Sequence, residues 1–185
     1  MRNISKEQVL ERVRTENPWW DPPHEVPEIH SQLTPRPYLA LFYPLIKSKS
    51  VHRAVVLMGP RRVGKTFMIY HAIQKLLAEK EIPTHICYIS VDHPIYNGCA
   101  LEELLGVFET ATGTAYKTQS CVIFFDEIQY LRNWEVHLKQ LVDAYPNAKF
   151  IVSGSSAAAL RLRSSESGAG RFTGFLLPPL TFHEY

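Results

Sequence analysis

Long apolar runs are missing from this sequence. No stretch approaches the roughly 18 uninterrupted apolar residues of a membrane span, and the opening MRNISKEQVL lacks the apolar core of a signal peptide. Charge of one sign is missing too. The 20 basic residues stand against 18 acidic ones, a net +2, so composition gives no strongly electropositive surface for nucleic acid. Cysteine is scarce. Cys87, Cys99 and Cys121 are odd in number and no two have metal-ligand spacing, which argues against a disulfide framework and leaves reduced thiols as the expectation. Together these absences predict a soluble, cytoplasmic protein without membrane contact.

What is present is an ordinary globular composition, 45% hydrophobic and 21% charged over 185 residues, the size of one domain. Residues 1–50 read as N-terminal helices and a proline-rich arm packed on the core, and residues 51–185 as the core itself. Ser5 to Glu16 predicts an amphipathic helix, with Ser5 and Gln8 spaced as a capping box. Pro18 stops it. Six prolines between Asn17 and Pro37, with Trp19 and Trp20, predict an extended arm lying across the domain. Tyr38 to Lys47 reads as a helix bent or ended near Pro44.

Beyond the arm, strands and helices alternate. Ala54 to Met58, His85 to Val91, Cys121 to Phe125 and Lys149 to Val152 are short apolar runs suited to strands buried on both faces. A fifth strand is expected around Phe175 to Leu177. Helices are predicted from Lys65 to Lys80, around Leu101 to Phe108, and from Trp134 to Tyr145. The alternation implies a parallel sheet with right-handed crossovers. Ser164 to Gly170 reads as the most mobile loop.

Two motifs carry chemistry. Gly59-Pro60-Arg61-Arg62-Val63-Gly64-Lys65-Thr66 follows a predicted strand and opens a predicted helix, the context a Walker A phosphate cradle requires. Glycines let several main-chain N–H groups point at one phosphate, and the helix N-terminus adds a favourable field. Lys65 would reach the β- and γ-phosphates of ATP, and Thr66 would ligate Mg2+. Cys121-Val122-Ile123-Phe124-Phe125-Asp126-Glu127 is a Walker B pattern. Its strand delivers Asp126 to the metal and Glu127 to the attacking water. The second carboxylate suits hydrolysis better than transfer to a small-molecule acceptor, for which no binding segment is evident.

Weaker signals surround these. In Ser153-Gly154-Ser155-Ser156 a hydroxyl, with Ser155 the candidate, either senses the γ-phosphate or caps a helix over Ala157 to Leu162. Arg171 is either an arginine finger toward a phosphate, in its own or a neighbouring subunit, or a solvated surface residue. Asp92 either supports the magnesium shell or forms the turn before Pro94. The arm is a candidate cover for the adenine, through Arg36 or Trp20. The eight histidines offer no helix-spaced ligand pair.

With these residues in view, the sequence resembles AAA-type P-loop ATP-binding proteins of bacteria and archaea. The likeness rests on Asn17-Pro18-Trp19-Trp20, the Walker A string, Phe125-Asp126-Glu127-Ile128-Gln129 and Ser153-Gly154-Ser155-Ser156. A closing string joins them: Gly170-Arg171, then Leu177-Pro178-Pro179-Leu180-Thr181-Phe182-His183-Glu184-Tyr185. The resemblance implies an α/β fold of the additional-strand catalytic-glutamate type, about five parallel strands in the order 5-1-4-3-2 between helices. It makes Arg171 a stronger phosphate-sensing candidate. It also implies a C-terminal nuclease-like domain, absent from this chain, as a partner. A homo-oligomer or another protein are further candidate partners, and DNA enters by analogy alone. Two functions follow: ATP hydrolysis driving a conformational or assembly change, or a slow ATP-dependent switch.

Overall fold

Four short runs rich in β-branched and aromatic residues, apolar on both faces, pair side by side because each must be covered on both, and a half-exposed fifth run adds at one edge. The computed structural model describes residues 5–48, 52–155, 170–181 and 184. Its strands are β1 (Ala54–Met58), β2 (Ile86–Ser90), β3 (Cys121–Asp126), β4 (Ala148–Gly154) and β5 (Phe172–Leu176). All pairings are parallel, in the order β2-β3-β4-β1-β5. Read from the other edge this is the expected 5-1-4-3-2. Register aligns Met58 with Gly154 and Ser90 with Asp126, so the ends of β1, β3 and β4 open onto one edge of the sheet.

Helices cover both faces. Successive strand residues alternate between two cores, as the pleat requires. Ala54, Val56, Ile123, Phe125, Phe150 and Val152 point one way. There they meet α1 (Lys6–Glu16), α5 (Leu101–Thr112) and α6 (Trp134–Ala144) through Val13, Leu104 and Trp134. Val55, Leu57, Phe124 and Ile151 point the other way. They meet α3 (Leu39–Lys47) and α4 (Lys65–Ala78) through Phe42, Ile46, Met68, Ile69 and Ile73. One further single-turn helix, α2 (Glu28–Ser31), lies within the arm.

The capping box forms at Ser5 and Gln8, each side chain taking the other's backbone N–H. Of the two readings at Pro44, a helix that ends there is ruled out: α3 continues through it to Lys47. Pro44 and Ala40 both lie on the exposed face, so water can take the Ala40 carbonyl while Phe42, Tyr43 and Ile46 hold the buried face in place. The loop at Ser164 to Gly170 and the helix over Ala157 to Leu162 fall at residues 156–169, outside the described residues except for Gly170.

The arm's first part closes an exposed edge. The side chain of Asn17 accepts from the Tyr88 N–H at 2.6 Å and donates to the Tyr88 carbonyl at 2.7 Å, imitating a neighbouring strand. The indoles of Trp19 and Trp20 both donate to the Ile86 carbonyl, at 3.1 and 2.7 Å. Glu16 takes the Ser90 N–H at 3.4 Å. Residues Glu16 to Trp20 thus satisfy the outer edge of β2, which would otherwise invite pairing with another chain.

Candidate nucleotide-binding site

Residues 59–64 form the loop between β1 and α4. Its first glycine has no room for a side chain: a Cβ on Gly59 would lie 2.5 Å from the Leu177 carbonyl oxygen. Gly64 takes a left-handed backbone, φ 88°, and caps α4. The N–H groups of Gly64, Lys65 and Thr66 find no acceptor among the described residues. A helix start always leaves such donors over, and here they stand together at a turn, which makes an anion-binding concavity. Lys65 is buried and folds back over the loop, its Nζ on the carbonyls of Gly59 (3.2 Å) and Pro60 (2.9 Å). Pro60, Arg61 and Arg62 are exposed, and Val63 is buried.

Across from this loop, Asp126 ends β3 with only 1% of its surface exposed. A buried carboxylate needs donors, and it has four. The hydroxyls of Thr66 (2.7 Å) and Tyr88 (2.9 Å) donate to Oδ2, while the Ser153 hydroxyl and the Glu127 N–H (3.1 Å) donate to Oδ1. Burial and the facing Asp126 charge push the Tyr88 phenol far up, so it stays a donor. Thr66 and Asp126 are hard oxygen ligands of the kind magnesium takes, with phosphates and water completing its shell. No group of three or more His, Cys, Asp or Glu suited to a metal exists among the described residues. The residues therefore fit magnesium beside a nucleotide rather than an all-protein metal cage.

Glu127 follows with φ 56°, a left-handed backbone uncommon outside glycine. That turn brings its N–H onto Asp126 and onto the Ser153 hydroxyl at 3.2 Å. The Gln129 side-chain amide donates to the Glu127 carboxylate. Gln129 also accepts the Ser155 N–H at 3.0 Å. Ser155 thus reaches Glu127 through Gln129 by its backbone, and it is Ser153 whose hydroxyl joins the carboxylate cluster. Ser153 stood in the serine string, but only the strand's full length to Gly154, with Ser153 facing β3, distinguishes it from Ser155.

Three residues stand open between two roles in the sequence, and the geometry narrows each. Arg171 immediately precedes β5 and donates to Asp143 Oδ1 at 3.0 Å, with both side chains about half exposed. Its carbonyl accepts the Ala54 N–H, so it sits at the start of β1, about 16 Å of strand from the cradle at 3.3 Å per residue. Arg171 does not belong to this chain's own phosphate site. Trp20 lies on β2, three strands and about 14 Å from β1, and is not a cover for a base bound there. Asp92 is exposed and accepts the Ser90 hydroxyl at 2.7 Å, which serves the turn before Pro94.

Arg36, in contrast, does reach the site, though its donors are all taken. Nε and Nη2 grip the Glu184 carboxylate at 2.6 and 2.8 Å. Nη1 donates to the carbonyls of Val63 and Pro178, both at 2.9 Å, and Nη2 also to Pro179 at 3.4 Å. Arg36 and the Thr181 N–H and hydroxyl draw the Glu184 carboxyl down to about 2.

A parallel sheet in this order, a glycine loop closing on α4 and a caged aspartate at the end of β3 together define a P-loop nucleotide-binding domain. The AAA domain family matches residues 51–185, and the chain belongs to it. It is 35% identical to the uncharacterized protein MJ1637 of Methanocaldococcus jannaschii over 134 residues and 31% identical to MJ1544 of the same organism over 130. These alignments take in 71% and 70% of this chain but 27% of each relative, so the chain spans about a quarter of their length. Among solved structures, Saccharomyces cerevisiae RIF2 superimposes with a TM-score of 0.49 at 14% identity, over 97% of this chain and 64% of that one. Among the described residues no helix is long and apolar enough to cross a membrane.

Proposed function

We propose that this domain binds Mg-ATP and hydrolyses it to drive a conformational or assembly change. The observation that carries the reading is the bond between the Thr66 hydroxyl and the buried Asp126 carboxylate. It ties the start of α4, with its free N–H groups, to the strand that presents Glu127. The N–H groups of Gly64 to Thr66 and the Lys65 ammonium would hold the phosphates. Magnesium, held by Thr66 and Asp126, would neutralise charge on the phosphate oxygens. Glu127 would orient a water toward the terminal phosphorus and accept its proton as the bridging oxygen leaves. The base has a candidate seat beside Arg36, in a largely apolar cleft of about 390 Å³ lined by Pro37, Tyr38, Leu41, Thr181 and Glu184.

Glu127→Gln tests the reading. It is expected to leave ATP affinity within about threefold and to lower turnover at saturating Mg-ATP by roughly a hundredfold or more. Undiminished turnover would remove Glu127 from the reaction. One observation favours a slower switch as second reading: the Gln129 amide already occupies the Glu127 carboxylate, so turnover would wait until that bond is released. Gln129→Ala then speeds hydrolysis. Arg171 has one route to a phosphate, from a neighbouring subunit.

A further inference from the structure

The guanidinium of Arg36 joins three segments distant in sequence: the arm, the cradle loop at Val63, and the closing segment at Pro178, Pro179 and Glu184. Its side chain is only 12% exposed, and all five of its N–H donors have acceptors. The bond to Val63 has a geometric consequence. A trans peptide points its C=O and the following N–H in opposite directions. A Val63 carbonyl held toward Arg36 therefore turns the Gly64 N–H away from Arg36, and that N–H has no acceptor of its own among the described residues.

The closing segment touches the loop at its other end as well. The Leu177 N–H donates to the Met58 carbonyl at 2.7 Å, and the Leu177 carbonyl oxygen packs where a Gly59 Cβ would be. Both ends of residues 59–64 are thus braced by residues after β5, directly at Gly59 and through Arg36 at Val63.

We infer that Arg36 is a positioning residue which aligns the cradle N–H groups for phosphate and couples nucleotide occupancy to the order of the segment from Leu177 to Thr181, which it holds together with Glu184. The inference rests on the phosphate-binding reading of the cradle. Coupling between two sites is reciprocal: if a fixed closing segment improves the cradle, a phosphate in the cradle fixes the closing segment. The fork geometry matters as much as the charge. A lysine reaches one or two of these acceptors but cannot bridge the carboxylate and the Val63 carbonyl in one plane.

The test titrates ADP into the wild-type chain, Arg36→Ala, Arg36→Lys and Glu184→Gln by calorimetry, and follows backbone hydrogen exchange in peptides covering Leu177 to Thr181. In the wild type ADP slows exchange there. Both Arg36 variants bind ADP roughly tenfold more weakly or worse, the size of one charge-assisted hydrogen bond. They lose the ADP-dependent protection, and added guanidinium ion restores affinity to Arg36→Ala but not to the wild type. Glu184→Gln removes the charge that Arg36 grips but leaves the Val63 acceptor in place, so the protection fades and any loss of affinity is smaller than in the Arg36 variants. Should the Arg36 variants fail to fold, that variant decides the coupling alone. Arg36 variants that bind like the wild type, or protection undiminished in Glu184→Gln, overturn the inference and leave the proposed function standing. A wild-type chain that takes no nucleotide overturns both.

Discussion

At the N-terminal ends of the strands, polar side chains end on backbone carbonyls; at the C-terminal ends Lys65 and Arg36 do so too, but three hydroxyls converge on one carboxylate and backbone donors are left over. Trp19 and Trp20 donate to Ile86, and Lys149 donates to the carbonyls of Ser48 (3.2 Å) and Arg53 (3.0 Å). Burial lowers the Lys149 pKa, yet its partners are loop carbonyls rather than a carboxylate. These bonds close loops and a sheet edge within the chain. At the other end the hydroxyls of Thr66, Tyr88 and Ser153 converge on one carboxylate, while the N–H groups of Gly64 to Thr66 have no acceptor among the described residues. Among the described residues the first arrangement is satisfied within the chain, while the second leaves backbone donors without acceptors, as an anion site would. That difference separates stapling from binding better than residue type does.

The sharpest way to break the comparison is to alter one end and read the other. Lys65→Ala is expected to abolish nucleotide binding in a fluorescence titration and to leave the urea midpoint nearly unchanged. Asn17→Ala is the opposite case. It strips the Tyr88 N–H and carbonyl of their partners on a buried edge, and should cost about 1–3 kcal/mol of unfolding free energy with ADP affinity intact. If Asn17→Ala weakens ADP binding at temperatures where the chain is fully folded, the two ends are not separable.

A smaller effect comes from a residue that belongs to both regions. Tyr88 holds the arm with its backbone and Asp126 with its hydroxyl. Tyr88→Phe keeps the first and removes the second. We expect a loss of about 1 kcal/mol in urea unfolding, together with a weaker dependence of ATP affinity on added magnesium. Unaltered magnesium dependence would mark the hydroxyl as packing alone.

How far the sequence reaches differs along the same division. All five strands were legible within a residue or three, because runs such as Ala54 to Met58 are apolar on both faces. The cradle and Asp126-Glu127 were legible because a spacing of eight residues places backbone and side chain together locally. What escaped are pairings across the sheet. Ser153 and Ser155 have the same chemistry, and only the register of β4 against β3 puts the first on Asp126. Arg171 stands open between a phosphate and the surface in the sequence, and only the parallel pairing of β5 with β1 puts it beside the start of β1, away from the cradle. Arg36 lay in a segment without periodicity, and its partners at Val63 and Glu184 are 27 and 148 residues away.

The least effect expected is the acid limb of the Arg36–Glu184 pair, and it distinguishes a fixed closing segment from a loose one. The Glu184 carboxyl is drawn from 4.5 to about 2 in the folded chain, chiefly by Arg36. A depressed carboxylate stabilises the fold only while ionised. Its contribution is therefore whole above about pH 5, declines as pH falls through the ordinary carboxylate range, and is gone below about pH 2. Urea midpoints of the wild type and Glu184→Gln should differ near neutrality and converge on acidification. Added salt should narrow the neutral gap only slightly, since the Arg36 side chain is 12% exposed and little screened. A gap that persists to pH 2 would mean that Glu184 acts through shape rather than charge. The closing segment would then be held by Leu177 on Met58 and Gly59, with Arg36 serving the cradle alone.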